Sequence, residues 1–226
     1  MDPITERQVN RKIASAGCRV PRPKANQSSG KRAEWVPPSL VFVFFGVLTT
    51  VIAMSSGTES ESSLCLECGI CCDGTLFSNV QLKKSDDASR LRAFGLPLRR
   101  RGDVLRFPQP CAALCGKACS LYKHRPSHCR DFDCLTLTRL REKQLTQEQA
   151  LKIIRRARRL ADRIDRELKH LGEEDTKAPL KLRFARVSRA MGSNPESYTR
   201  QASGKFGDIS QQMHQLHLML SEHFFQ

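Results

Sequence analysis

Aromatic residues are scarce in this 226-residue chain, which holds 11 Phe, two Tyr and one Trp. Platforms for stacking the bases of single-stranded nucleic acid are correspondingly few. Acidic residues are also few: 23 Asp and Glu stand against 38 Lys and Arg, for a net charge of +15. That excess suits an anionic partner, whether nucleic acid, lipid headgroups or an acidic protein, without choosing among them. The longest apolar run, Leu40 to Met54, has 15 residues, short of the about 20 that span a bilayer. No Gly-rich phosphate loop, Ser-His-Asp order, paired-carboxylate signature or fixed-period repeat stands out, so no familiar enzymatic chemistry is announced.

Apolar residues make up 39% and charged residues 27% of the chain, a balance that is lean but still globular. The length suits one ordinary domain with an appendage. Residues 1–38 mix Arg, Lys, Pro, Ser and Gln without apolar periodicity and read as disordered. Three explanations of residues 40–54 stay open. The run is a signal-peptide core, with Lys31 and Arg32 before it and Val51-Ile52-Ala53 at its end. Or it is a single membrane anchor with the basic segment on the cytoplasmic side. Or residues 1–53 lie upstream of a start at Met54. Each leaves a functional domain beginning near residue 55, with a cytoplasmic location expected and an anchored one as the alternative.

The expected division is 1–54 basic and disordered with the apolar run, 55–172 the cysteine domain, and 173–226 a basic helical extension. Val80 to Leu82 and Val104 to Phe107 read as short strands. Ser85-Asp86-Asp87 reads as a helix start, followed by a short helix over Ala88 to Phe94 ended by Gly95, and Arg101-Gly102-Asp103 is a turn. Thr146-Gln147-Glu148-Gln149 has the form of a capping box. Beyond it, Ala150, Ile153, Ile154, Ala157, Leu160, Ala161, Ile164, Leu168 and Leu171 draw one apolar stripe, closed by Gly172. The opposite face carries Arg155, Arg156, Arg158, Arg159, Arg163 and Arg166, a solvated surface or a site for an anionic partner, protein or nucleic acid. One short helix is expected around Leu180 to Met191. A last one begins at Asp208, with Ile209, Met213, Leu216, Leu220 and Phe224 on one face. The fold class that results is α+β and α-rich: a small irregular cysteine domain stapled by metal, followed by amphipathic helices.

Ten cysteines mean either disulfides or thiolate ligands. Cys65-Leu66-Glu67-Cys68-Gly69-Ile70-Cys71-Cys72 favours ligands. Two residues between cysteines let a tight turn aim both sulfurs at one ion. Adjacent Cys71 and Cys72 are poorly placed to bridge each other. Their sulfurs are expected to point apart, serving two ions, or one ion with the other thiol beside it. Cys111, Cys115, Cys119, Cys129 and Cys134 form the second half, with His124 and His128 as lesser candidates. Zinc fits paired Cys-x-x-Cys motifs; three cysteines at that spacing with a remote fourth is nearer an iron–sulfur pattern.

Three ordered motifs now bear a resemblance. They are Cys65-x-x-Cys68-Gly69-x-Cys71-Cys72-Asp73-Gly74-Thr75-Leu76-Phe77, then Phe107-Pro108-Gln109-Pro110-Cys111-Ala112-Ala113-Leu114, then Cys119-x-x-Tyr122-x-x-Arg125-Pro126-x-x-Cys129-Arg130-x-Phe132-x-Cys134. Over roughly residues 64–160 the chain resembles the YkgJ-type cysteine cluster family, a zinc- or iron-chelating domain. The resemblance implies Zn or Fe, including an iron–sulfur cluster, as cofactor. It implies Cys65, Cys68, Cys71, Cys72, Cys111, Cys119, Cys129 and Cys134 as metal ligands, and it leaves Cys18 and Cys115 outside the set. Cys68→Ser is therefore expected to cost metal and stability, and Cys115→Ser neither. The family includes a lysine methylase acting on flagellin. A metal- or iron–sulfur-dependent transferase is thus one alternative to simple metal binding, and a metal-stabilised nucleic-acid module is another.

Overall fold

A computed structural model describes residues 6–18, 64–193 and 200–225. The apolar run at 40–54 and the proposed start at Met54 lie outside the described residues. Among the described residues no helix is long and apolar enough to cross a membrane.

In chain order, helix α1 (Glu6–Ser15) and a helical turn at 64–68 precede strand β1 (Asn79–Gln81) and helix α2 (Ala88–Ala93). Strands β2 (Arg99–Arg101), β3 (Val104–Pro108), β4 (Leu114–Cys115) and β5 (Ala118–Cys119) follow. A 3₁₀ turn (Tyr122–His124) then leads into α3 (Ser127–Asp131), α4 (Leu135–Arg141), α5 (Gln147–His170), α6 (Leu180–Ser193) and α7 (Arg200–His223). With 57% helix and 9% strand, the α-rich α+β class holds. The strands form an antiparallel sheet in the order β1-β3-β2 and a separate β4-β5 hairpin.

Local chemistry explains most boundaries. Asp87 caps α2 by accepting from the Arg90 amide at 2.9 Å, and Gly95 follows at φ +89. Arg101 pairs with Val104, so Gly102-Asp103 is a two-residue hairpin loop. The capping box at α5 is complete. The Gln149 amide donates to the Thr146 hydroxyl at 3.2 Å, and the Thr146 amide donates to Gln149 Oε1 at 2.8 Å. At the other end Gly172 N–H reaches the Lys169 carbonyl and Glu173 N–H the Leu168 carbonyl. That is the pair of bonds by which a left-handed residue closes a helix.

Buried side chains gather in three clusters. The largest unites Leu64, Cys68 and Ile70 with α4, with Ala150, Ile154, Ala157, Ala161, Ile164 and Leu168 of α5, with Leu180 and Val187 of α6, with Ile209, Leu216 and Leu220 of α7, and with Phe224 just beyond it. The last helix thus lays the expected face on α5, but it begins at Arg200, eight residues before the position expected from sequence. Arg183 of α6 is 3% exposed; it pairs with Asp165 of α5 and donates to the Glu173 carbonyl at 3.0 Å. A second cluster packs Leu91, Phe94 and Leu96 on Phe107, Ala113 and Leu121.

The third cluster corrects the reading of the amino-terminal segment. Residues 6–15 are helical, and Val9 and Ile13, one turn apart on α1, bury themselves on Leu66, Cys115 and Ala118. Two apolar residues four apart in a polar stretch are too sparse to register as periodicity, yet they suffice for one turn-wide contact. Cys18, just beyond α1, is joined to Cys115 by a disulfide across 97 positions. Cys115 is 4% exposed, so the expectation that its loss leaves stability untouched does not stand. Cys115→Ser should destabilise the oxidised protein by about 2–4 kcal/mol. Denaturant unfolding without reductant tests this, and Cys18→Ser should match it. Equal midpoints for wild type and both variants would show that the bond carries no stability.

Candidate metal centre

Cys65 and Cys68 lie three apart on the helical turn at 64–68, a spacing that puts both on one face. Gly69 then reverses the chain at φ +69, and the amides of Cys72 and Asp73 fold back onto its carbonyl at 2.9 and 3.0 Å. A Cβ at Gly69 would meet the backbone of Lys117 at 3.2 Å. Position 69 therefore needs glycine for its conformation and for its surroundings. The Cys111 amide donates to the Cys72 carbonyl at 2.7 Å, tying the first motif to the second. Cys119 stands opposite Leu114 in the β4-β5 hairpin. Cys129 sits in α3, and Cys134 occupies the N-cap position of α4.

All eight of these cysteines line a single cavity of about 600 Å³. Burial raises every one of the eight thiol pKa values, with neighbouring thiols adding to the rise at most of them. Cys65 and Cys111 are pushed up to about 11, Cys68 and Cys129 to about 12, and Cys71, Cys72, Cys119 and Cys134 upward.

Which thiols act on which divides the eight into two sets. Cys71 is influenced by Cys68, Cys134 and Cys65, besides its chain neighbour Cys72, and Cys68 by Cys65 and Cys134. Cys72 is influenced instead by Cys119, Cys111 and Cys129, and Cys129 by Cys111 and Cys119. Packing draws the same line. Cys68 and Cys134 belong to the helical core, whereas Cys111, Cys119 and Cys129 pack with the cluster under the sheet.

Backbone amides face the sulfurs in each set. Ile70 N–H reaches Cys68, and the amides of Thr136 and Leu137 reach Cys134. Ala113 N–H reaches Cys111 Sγ at 3.4 Å, and Leu121 N–H reaches Cys119. Such N–H···S contacts orient thiolates that ligate a metal. Arg125 lies beside both sets, within electrostatic reach of Cys65, Cys119 and Cys129. Its guanidinium covers the Tyr122 ring at 3.8 Å. Arg130 supports it, donating to the Arg125 carbonyl at 3.1 Å.

Two sequence expectations change. Arg158 does not share the outer face of α5. It turns inward, donates to the Cys68 carbonyl and reaches Asp73 Oδ2 at 3.3 Å. Asp73 is itself raised by desolvation, while the Thr75 amide, at 2.8 Å, and Arg158 oppose the rise. His124 stacks on Phe94, with ring centroids 5.1 Å apart, rather than lining the cavity; His128 does line it.

A cavity walled by eight free thiols, held between a helical core and a small sheet, defines a cysteine cluster. Residues 64–153 match the family model CxxCxxCC, described as "Putative zinc- or iron-chelating domain". No curated protein and no solved structure gives a match. Metal chelation is what the family's name implies. Among the described residues no group of three or more Cys, His, Asp or Glu could hold an ion as it stands. The donor chemistry fits all the same: all eight family cysteines are unpaired thiols on one cavity, with amides already turned to four of them.

The turn gives a direct test. Gly69 and Gly95 both have positive φ, but only Gly69 has backbone against its would-be Cβ. Gly95→Ala should cost about 1–2 kcal/mol from conformation alone. Gly69→Ala should cost a further 1–3 kcal/mol or so from crowding. Urea unfolding of the two variants measures the difference, and equal costs would remove the role given to the Lys117 contact.

Proposed function

We propose that the chain binds zinc or iron through its eight cavity cysteines, in two four-thiolate sites. One is Cys65, Cys68, Cys71 and Cys134; the other is Cys72, Cys111, Cys119 and Cys129. The observation that carries this reading is the division of eight free thiols on one cavity into two quartets by mutual influence, with packing drawing the same line for the five that the core clusters include. Four thiolates are a complete set for structural zinc and also for an iron–sulfur cluster. Adjacent Cys71 and Cys72 are the hinge of the arrangement, since each quartet takes one of them.

The first site would join the 64–72 turn to the start of α4, and the second would join that turn to β5 and α3. Both would thereby cross-link segments far apart in sequence, so binding free energy becomes folding free energy. The domain they would staple is the one expected over residues 55–172. Arg158, through the Cys68 carbonyl and Asp73, is placed to hold the turn in the shape both sites need.

Elemental analysis and an absorption spectrum of the full chain, purified without oxygen, test the proposal. Two zinc ions per chain in a colourless protein, or iron with labile sulfide in a brown one, would support it. Cys68→Ser and Cys119→Ser should each remove about half of the metal, and Cys115→Ser should remove none. One ion per chain, or equal loss from all three variants, would refute the two-site assignment.

Removing Arg158 should act through geometry. Arg158→Met is expected to destabilise the protein by about 1–3 kcal/mol by leaving the Cys68 carbonyl without its side-chain donor and Asp73 without its cation. Arg159→Met, on the exposed side of the same turn, should change stability by less than about 0.5 kcal/mol. Thermal unfolding of the two variants distinguishes them.

A further inference from the structure

Helix α5 buries one side completely and leaves a row of cations on the other. Lys152, Arg155, Arg156, Arg159, Arg163 and Arg166 are all exposed. Their spacing of three, one, three, four and three residues keeps them on one face of an α-helix. None has an ion-pair partner among the described residues, although Lys169 and Arg158 of the same helix do. From Lys152 to Arg166 the row extends about 21 Å at 1.5 Å per residue.

We infer that this row is a docking surface for the sugar–phosphate backbone of a nucleic-acid duplex. Five of the six cations are Arg, whose planar fork matches phosphate oxygens in pairs. No aromatic residue occurs anywhere in α5, so the surface has nothing on which to stack unpaired bases. Among the described residues the exposed large apolar side chains are Leu182, Leu218 and Phe225, none of them on α5. A protein interface usually has apolar or aromatic anchors at its centre, and this face has none. A membrane-surface helix must sink its apolar face into lipid. Here Ala150, Ile154, Ala157, Ala161, Ile164 and Leu168 are fixed in the core. What remains is a straight, rigid row of charge. A duplex offers about twelve phosphate charges along 21 Å of axis.

The surface is independent of the metal reading, because its side chains point away from the cavity. Binding of the full-length protein to a 24-base-pair duplex DNA of arbitrary sequence is to be followed by fluorescence anisotropy across a salt series. Affinity should be independent of sequence, and log K should fall with log salt at a slope near −5, as for about six neutralised phosphates. The triple variant Arg155→Gln/Arg159→Gln/Arg163→Gln should lower that slope by about 3 and weaken binding at least about 30-fold at low salt, with unchanged helix content. The triple variant Arg99→Gln/Arg100→Gln/Arg101→Gln, on the exposed edge strand β2, should bind like wild type. Equal losses from both triples would mean diffuse charge and overturn the inference. So would no binding at 50 mM salt, or tighter binding to polyglutamate or to phosphatidylserine vesicles than to the duplex.

Discussion

The chain reversal at Gly69 is the constraint on which the rest depends. Three packed clusters meet there. The residues just before it, Leu64 and Cys68, enter the helical core, while Leu66 receives α1. The residue just after it, Ile70, returns to the helical core at 0% exposure. Cys72 then accepts the Cys111 amide and brings the sheet side into register. A turn this tight exposes carbonyls that its own amides cannot all satisfy. Arg158 reaches across from α5 to supply a donor to one of them, at Cys68. The central helix α5 is thus fastened directly to the cysteine turn.

Helix α5 consequently has two separate duties on its two sides. Its inner side supplies small and branched residues to the core, with Arg158 and Asp165 as the polar exceptions, each engaged by a partner from another segment. Its outer side supplies a cation row with no ion-pair partner among the described residues. The same 3.6-residue period produces both. A change on the outer row leaves the core contacts in place, which is why charge and stability can be varied independently in this helix.

Much of this organisation was legible in the residues. The capping box at Thr146, the apolar stripe of α5, its closure at Gly172 and the buried face of α7 all follow from local spacing, because each is decided within a few turns. Strand β2 was not legible: Arg99-Arg100-Arg101 has no apolar alternation, and it is a strand only because it borrows the ladder of β3. Charged edge strands of this kind escape pattern reading for the same reason that they resist aggregation. Helix α1 was hidden because two large apolar residues in ten carry little periodic signal. The Cys18–Cys115 pair was hidden because connectivity is a matter of three-dimensional proximity, and ten cysteines permit very many pairings. The eight cavity cysteines could be picked out by their motifs. That Cys71 and Cys72 point apart could be expected from their adjacency, but which remote cysteines each one meets could not, because those come from segments far off in sequence.

The ten cysteines also divide by place, eight on the cavity and two on the contact between α1 and the β4-β5 hairpin. Oxidation and disulfide exchange proceed through the thiolate. Desolvation, reinforced at most sites by neighbouring thiols, raises the pKa of all eight cavity thiols, so near neutral pH they are protonated and slow to react. Cys18 lies at the end of α1 on the outer surface, where its partner Cys115 is delivered by the β4-β5 hairpin beneath Ile13. One pair is joined where α1 meets the hairpin, while eight thiols remain free along the cavity. On the proposed two-site reading, the donors would first have to lose their protons. Metal binding would then be linked to proton release and would strengthen as pH rises.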